Sequence, residues 1–117
     1  MRRTFTKTDR LRKSQEFKAL SKKGKRHFSK LFIIICQKNN ASRSRLGITV
    51  SKKVGKAVTR NRIKRIIRNF FRLNRHFLKE SLDINVIARK ASGEAEATAM
   101  CNQLEEWIKK VSDTRQE

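Results

Sequence analysis

The chain of 117 residues has no proline, no tyrosine, four glycines, two cysteines and one tryptophan. The cysteines, Cys36 and Cys101, lack metal-ligand spacing and supply neither a disulfide framework nor a zinc site. The longest unbroken apolar run, residues 31–36, covers six positions, against the roughly 20 that a bilayer crossing needs. The opening segment MRRTFTKTDR is basic but leads into no apolar stretch of the kind a secretory signal requires. A reduced, cytoplasmic protein is therefore the expectation. Hydrophobic residues make up 37%, low beside the usual ~45–50%. They gather in periodic segments, so a core remains within reach. At this length one domain is expected over residues 1–117, with flexible ends at 1–9 and 113–117.

Acidic residues are also scarce, and unevenly so. Against 31 Lys and Arg stand 10 Asp and Glu, a formal net charge of +21. Residues 17–79 carry 20 of those basic residues and no acid at all, whereas residues 80–117 carry eight acids and five bases. A solvated surface mixes signs, as the C-terminal part does. An acid-free stretch of this length repels itself unless a polyanion sits against it, which points to RNA, DNA or an anionic membrane surface. The same stretch has strong hydrophobic periodicity and no low-complexity run, unlike a disordered basic arm.

What is present reads as alternating helix and strand. Ser14 is placed to cap a helix over residues 14–23, stopped by Gly24, with Phe17 and Leu20 one turn apart. Residues 27–38, HFSKLFIIICQK, predict one strand buried on both faces. A polar turn over 39–44 leads to a second strand over 45–51, in which Gly47 marks a bulge or a close backbone approach. A basic loop over 51–57 precedes a long helix over 58–77. Residues 82–88 alternate as a strand. Ser92 then caps a last helix with apolar Ala97, Met100, Cys101, Leu104, Trp107, Ile108 and Val111. Glu94 and Glu96 near its start and Lys109 and Lys110 near its end suit the helix dipole.

The helix over 58–77 carries the function. On a 3.6-residue wheel, Ile63, Ile66, Ile67, Phe70, Leu73 and Phe77 form an apolar stripe. Arg60, Lys64, Arg68, Arg72 and Arg75 fall opposite, with Arg65 bordering them and Arg62 on the far flank. Like charges at i, i+4 each cost a helix roughly 0.2–0.5 kcal/mol, a repulsion that phosphate binding relieves. Guanidinium groups are planar forks for paired phosphate oxygens, and lysines add point charges. Asn61 is able to meet a 2′-OH or a base edge. Lys52, Lys53 and Lys56 precede the helix, whose N-terminus adds free N–H groups and a positive dipole end.

The run RLGITVSKKVGKAVTRNRIKRIIRNFFR, residues 45–72, closely resembles the signature of the bacterial ribonuclease P protein subunit. Its centre is Arg60-Asn61-Arg62 followed by Ile63-Lys64-Arg65, after Ser51-Lys52-Lys53 and Gly55. Looser similarity extends to RLRKSQEF, KGKR and VIARK, so nearly the whole chain is covered. The resemblance implies an α+β fold, an α/β sandwich with a four-stranded mixed sheet and three helices. It also implies a left-handed strand–helix–strand crossover, where sequence physics alone favours the right-handed form in roughly 98% of cases. In that family a large RNA is the catalyst, removing the 5′ leader of precursor tRNA with RNA-bound divalent magnesium, and the protein contributes no catalytic residue and holds no metal or cofactor of its own. Carried over, Lys52, Lys53, Lys56, Arg60, Asn61, Arg62, Lys64, Arg65, Arg68 and Arg72 would face the catalytic RNA. Phe17, Ile33, Ile35, Arg89 and Lys90 would line a cleft for the leader, with Ile35 standing where relatives often carry an aromatic. The implied partners are the catalytic RNA and precursor tRNA, with no membrane and no DNA.

Three rival readings are weaker. A self-sufficient nuclease needs a metal cage or an acid/base pair, and the basic stretch has no carboxylate. Asp83, Glu94 and Glu96 read as strand-edge and helix-start residues, and His27 and His76 lack partners at ligand spacing. A general RNA-binding module matches the composition but not the Arg60-Asn61-Arg62 signature. A membrane-surface helix would place its bases beside the apolar stripe, whereas here they occupy the centre of the polar face.

Overall fold

The computed structural model describes residues 14–40, 43–78 and 80–114. Three helices, α1 (Ser14–Lys23), α2 (Ala57–Asn74) and α3 (Ala97–Thr114), accompany four strands: β1 (Lys25–Phe28), β2 (Phe32–Lys38), β3 (Arg45–Thr49) and β4 (Leu82–Ala88). The strands form one sheet in the order β1-β2-β4-β3. β1 and β4 each pair antiparallel with β2, and β3 pairs parallel with β4, so the sheet is mixed. The parallel pair is joined through α2, as a parallel connection requires.

Period-2 alternation sorts side chains between the two faces. Phe32 and Ile34 of β2, Leu46 of β3, and Ile84, Val86 and Ala88 of β4 point to one face. There they join Ile63, Ile67, Phe70 and Phe71 of α2 and Met100, Leu104, Trp107 and Ile108 of α3 in the main core. The other face carries a much smaller cluster, Leu20 of α1 on Ile35, with Phe17, Ile33 and Ile87 against it. α1 is thus the outer layer of that face, and α2 and α3 together form the outer layer of the other.

α1 is fastened at both ends. Arg45 of β3 forms a bidentate pair with Asp83 at 2.7–2.8 Å and reaches Glu16 of α1 at 2.6 Å. Asn39 donates a further bond of 2.7 Å to Asp83. The hydrogen bond to Asp83 holds the Arg45 guanidinium's pKa above its ordinary value, with further help from the charge on Glu16, despite partial burial. At the other end Arg26 of β1 donates to the Ser21 carbonyl at 2.8 Å. A Cβ at Gly24 would come within 2.5 Å of the Ile35 side chain, so glycine lets the helix end lie directly on β2.

Several expectations need correction. The single strand over 27–38 is two strands, because the chain reverses at Ser29–Leu31. Ser29 closes that turn: its N–H donates to the Phe32 carbonyl at 2.9 Å and its hydroxyl oxygen accepts from the Phe32 N–H at 3.2 Å. Ser92 caps no α-helix. It lies inside a 3-10 turn, Lys90–Glu94, fully buried, and its hydroxyl donates to the Leu31 carbonyl at 2.7 Å. α3 begins only at Ala97 and runs to Thr114, leaving no acid in its first turn and no base in its last. Leu73 and Phe77, assigned to the apolar stripe, are exposed, and Arg75–Phe77 tighten into a 3-10 turn. Of the ends expected to be flexible, 1–9 and 113–117, residues 1–9 and 115–117 lie outside the described residues, and 113–114 belong to the last turn of α3.

Candidate nucleic-acid interface

Two faces of α2 are spoken for. One packs on the sheet through Ile63, Ile67 and Phe70. The other meets α3, because Phe71, which falls between Arg60 and Lys64 at one side of the expected basic sector, is buried against Trp107 with ring centroids 5.9 Å apart. The outward face is therefore rotated about the helix axis, away from Arg60 and Lys64 and towards Arg65. Val58, Asn61, Arg65 and Arg68 are exposed along it, and Arg72 is half-buried at its lower end. Their spacing of three and four residues keeps them on one face.

The remaining cations are more constrained. Arg60 and Lys64 are half-buried, and the Arg60 Nε donates to the Gly55 carbonyl at 3.2 Å. Arg62 is half-buried too and donates to the Ala95 carbonyl at 3.2 Å, which ties α2 to the start of α3. Arg72 donates to the Asn69 side chain at 2.5 Å, which steadies it on the helix surface. Lys52, Lys53 and Lys56 are exposed in the loop before α2. That loop is held from behind: a Cβ at Gly93 would lie 2.3 Å from the Val54 carbonyl oxygen, so the 3-10 turn after β4 presses directly on it. Lys56 stands at the N-cap without a side-chain cap bond, so the first-turn N–H groups add their positive end to the three lysines.

The second group of residues lies on the α1 face. Leu20 covers Ile35, which is 1% exposed, so Ile35 is packed under the helix and does not line an open cleft. Phe17 and Ile33 are half-buried at the margin of that cluster. Arg89 and Lys90 are exposed just past the end of β4, and Arg89 donates to the Ser29 carbonyl at 3.0 Å. Register brings both groups to one end of the sheet. β3 and β4 run parallel, so the lysine loop after β3 and Arg89-Lys90 after β4 leave the same edge, where the β1–β2 turn also sits.

Sequence reasoning missed three residues of this edge: Phe28, Ile87 and Thr49. Phe28 was hidden by the undivided strand over 27–38, while the alternation of β4 already placed Ile87 opposite the core face. Asn85, one step further in, is buried and accepts from the Thr49 hydroxyl at 3.1 Å.

The other chemically suggestive groups have ordinary surroundings. His27 lies on the core face of β1, where burial, then Lys110, lowers its pKa against an opposing pull from Glu106. His76 stacks on Phe77 with ring centroids 4.2 Å apart. Cys36 and Cys101 are both half-buried thiols outside any disulfide, and burial raises the Cys101 thiol pKa, helped by Glu105. Among the described residues no three His, Cys, Asp or Glu gather as metal ligands. No helix among them is long and apolar enough to cross a membrane.

Comparison with known proteins agrees over most of the chain. The family model for Ribonuclease P matches residues 5–112. A ribonuclease P protein component of Desulfatibacillum aliphaticivorans is 48% identical over 110 residues, 94% of this chain and 93% of that one. Its counterpart in Desulfosudis oleivorans is 49% identical over 109 residues, 93% and 90% of the two chains. Among solved structures, the Staphylococcus aureus RNase P protein superposes with a TM-score of 0.81 at 36% identity, covering 86% of this chain and 93% of that one. The Thermotoga maritima RNase P protein gives 0.79 at 34% identity, covering 86% and 96%.

Proposed function

The chain belongs to the ribonuclease P protein family, the protein part of an endoribonuclease holoenzyme that processes tRNA, and on that premise we propose how it meets its RNAs. The outward face of α2 and the lysine loop before it bind the catalytic RNA. The open end of the α1 face binds the single-stranded 5′ leader of precursor tRNA. Hydrolysis of the phosphodiester belongs to the RNA and to the divalent magnesium bound there, and this chain's share is to position both RNAs.

One observation carries the reading. Asn61, Arg65, Arg68 and Arg72 form an acid-free row on a helix whose other sides are occupied by the sheet and by α3. The row is thus presented rigidly, and rigid cations lose less freedom on meeting phosphates than mobile ones do. Arg65 and Arg68 supply planar forks for the phosphate oxygens. Asn61 provides a donor and an acceptor among them, fit for a ribose hydroxyl or a base edge. Arg62, bonded to the Ala95 carbonyl, serves chiefly to hold α2 in place. Lys52, Lys53 and Lys56 extend the positive surface to the sheet edge, where Arg89 and Lys90 continue it towards the leader.

The test is reconstitution. Adding this protein to a bacterial ribonuclease P RNA at low magnesium should restore leader removal from precursor tRNA, while the protein alone leaves the precursor intact. Absence of stimulation at saturating protein, or cleavage by RNA-free protein, would overturn the proposal.

A further inference from the structure

Phe28 is a large apolar side chain left 62% exposed on the edge strand β1. Its surroundings give that exposure a use. On the α1 face, register aligns Phe28 of β1 with Ile33 of β2, Ile33 with Ile87 of β4, and Ile87 with Thr49 of β3. These four residues make one transverse row across all four strands. At strand spacings of about 4.8 Å the row is roughly 14 Å long, room for two or three extended nucleotides. α1 covers only its middle, where Ile33 and Ile87 are half-buried beside Leu20 and Phe17, and leaves Phe28 exposed at its outer end.

The row is apolar in the middle and cationic at its end. Arg89 is fixed to the Ser29 carbonyl, immediately after Phe28 in the chain, and Lys30 is exposed in the same turn. An aromatic face beside a held guanidinium and a lysine, with no described carboxylate in the row or turn, suits an unpaired base whose flanking phosphate meets the cations. We propose that Phe28 is a stacking platform for one base of the single-stranded leader, with Arg89 taking the adjoining phosphate. The proposal rests on the leader-binding reading above and adds to it a specific residue and a specific base.

The experiment uses holoenzyme reconstituted with wild-type protein, Phe28→Ala or Phe28→Trp, and precursor tRNAs carrying a single abasic site at each successive leader position. Because Phe28 is mostly solvent-exposed, both variants should fold. In the wild type, one abasic position should weaken binding by roughly 5- to 150-fold, the range of a base–aromatic stack. Phe28→Ala should lose sensitivity at that position alone and bind intact precursor more weakly by the same factor, with mature tRNA unaffected. Phe28→Trp should restore the wild-type profile. If Phe28→Ala keeps the full abasic profile, the stacking assignment is wrong while leader binding stands. If the wild type prefers precursor to mature tRNA yet ignores every abasic site, the leader is held by its backbone and the base subsite falls. If it shows no preference for precursor, leader binding itself fails and the subsite with it.

Discussion

α2 and α3 invite a direct comparison. Each is 18 residues long, and each buries four large side chains against the same face of the same sheet. Their charges differ sharply: α2 has six Lys and Arg and no acid, whereas α3 has three acids and two lysines. Packing demands are alike on the two helices, so packing does not account for the basic face of α2. Nor does helix stability, since acids placed among those bases would strengthen α2 through i, i+4 pairs. The difference isolates a functional requirement, which the phosphate-binding surface proposed for α2 would meet.

The largest expected effect tests the half of the comparison in which the helices are equivalent. Ile67→Ala in α2 and Leu104→Ala in α3 each remove a fully buried side chain. Both should lower unfolding free energy by about 2–5 kcal/mol in urea titrations. A cost below about 1 kcal/mol for either one would show that the two helices do not share the core equally.

The second prediction concerns the half in which they differ. Replacing Arg65 and Arg68 together by Ala should reduce the slope of log affinity for ribonuclease P RNA against log salt by about two, near one phosphate contact for each arginine. Glu105→Gln with Glu106→Gln in α3 should leave that slope unchanged. An unaltered slope in the arginine variant would remove α2 from the RNA interface.

These expectations show what the sequence discloses and where it stops. Residues 57–74 are legible because apolar spacing, charge and the Arg60-Asn61-Arg62 motif all mark one helix. The exact outward face is not. Phe71 reads as part of the basic side until α3 is seen to lie there, because a helix with two neighbours buries a wider sector than one stripe. The β1–β2 turn is hidden for a local reason: it uses Ser29-Lys30-Leu31, with none of the Gly, Pro or Asn that usually punctuate strands. Ser92 misleads for a distant one. Its hydroxyl serves a carbonyl 61 residues away, which no reading of neighbours reveals. At the candidate site the same division holds. The basic residues were visible as residues, but the shared edge that joins the lysine loop, Arg89 and Phe28 exists only once β3 is paired parallel to β4.

The smallest expected effect is the most direct probe of the contrast, because one substitution should act with opposite sign in the two helices. Lys64 of α2 lies four residues from Arg60 and from Arg68, so it faces two like charges. Lys109 of α3 lies four residues after Glu105, the favourable orientation for an ion pair. Glutamine has nearly the helix propensity of lysine, so Lys→Gln changes charge with little else. Lys64→Gln should then stabilise the free protein by roughly 0.2–0.5 kcal/mol for each like pair relieved, and Lys109→Gln should destabilise it by a similar amount. Both differences should shrink in 1 M salt, where screening acts within about 3 Å. Unfolding of both variants by urea at low and high salt measures this. Equal signs, or differences indifferent to salt, would mean that the bases of α2 carry no electrostatic strain in the free protein. The opposite signs expected here place that strain in the unbound state, where the RNA contact proposed for α2 would relieve it.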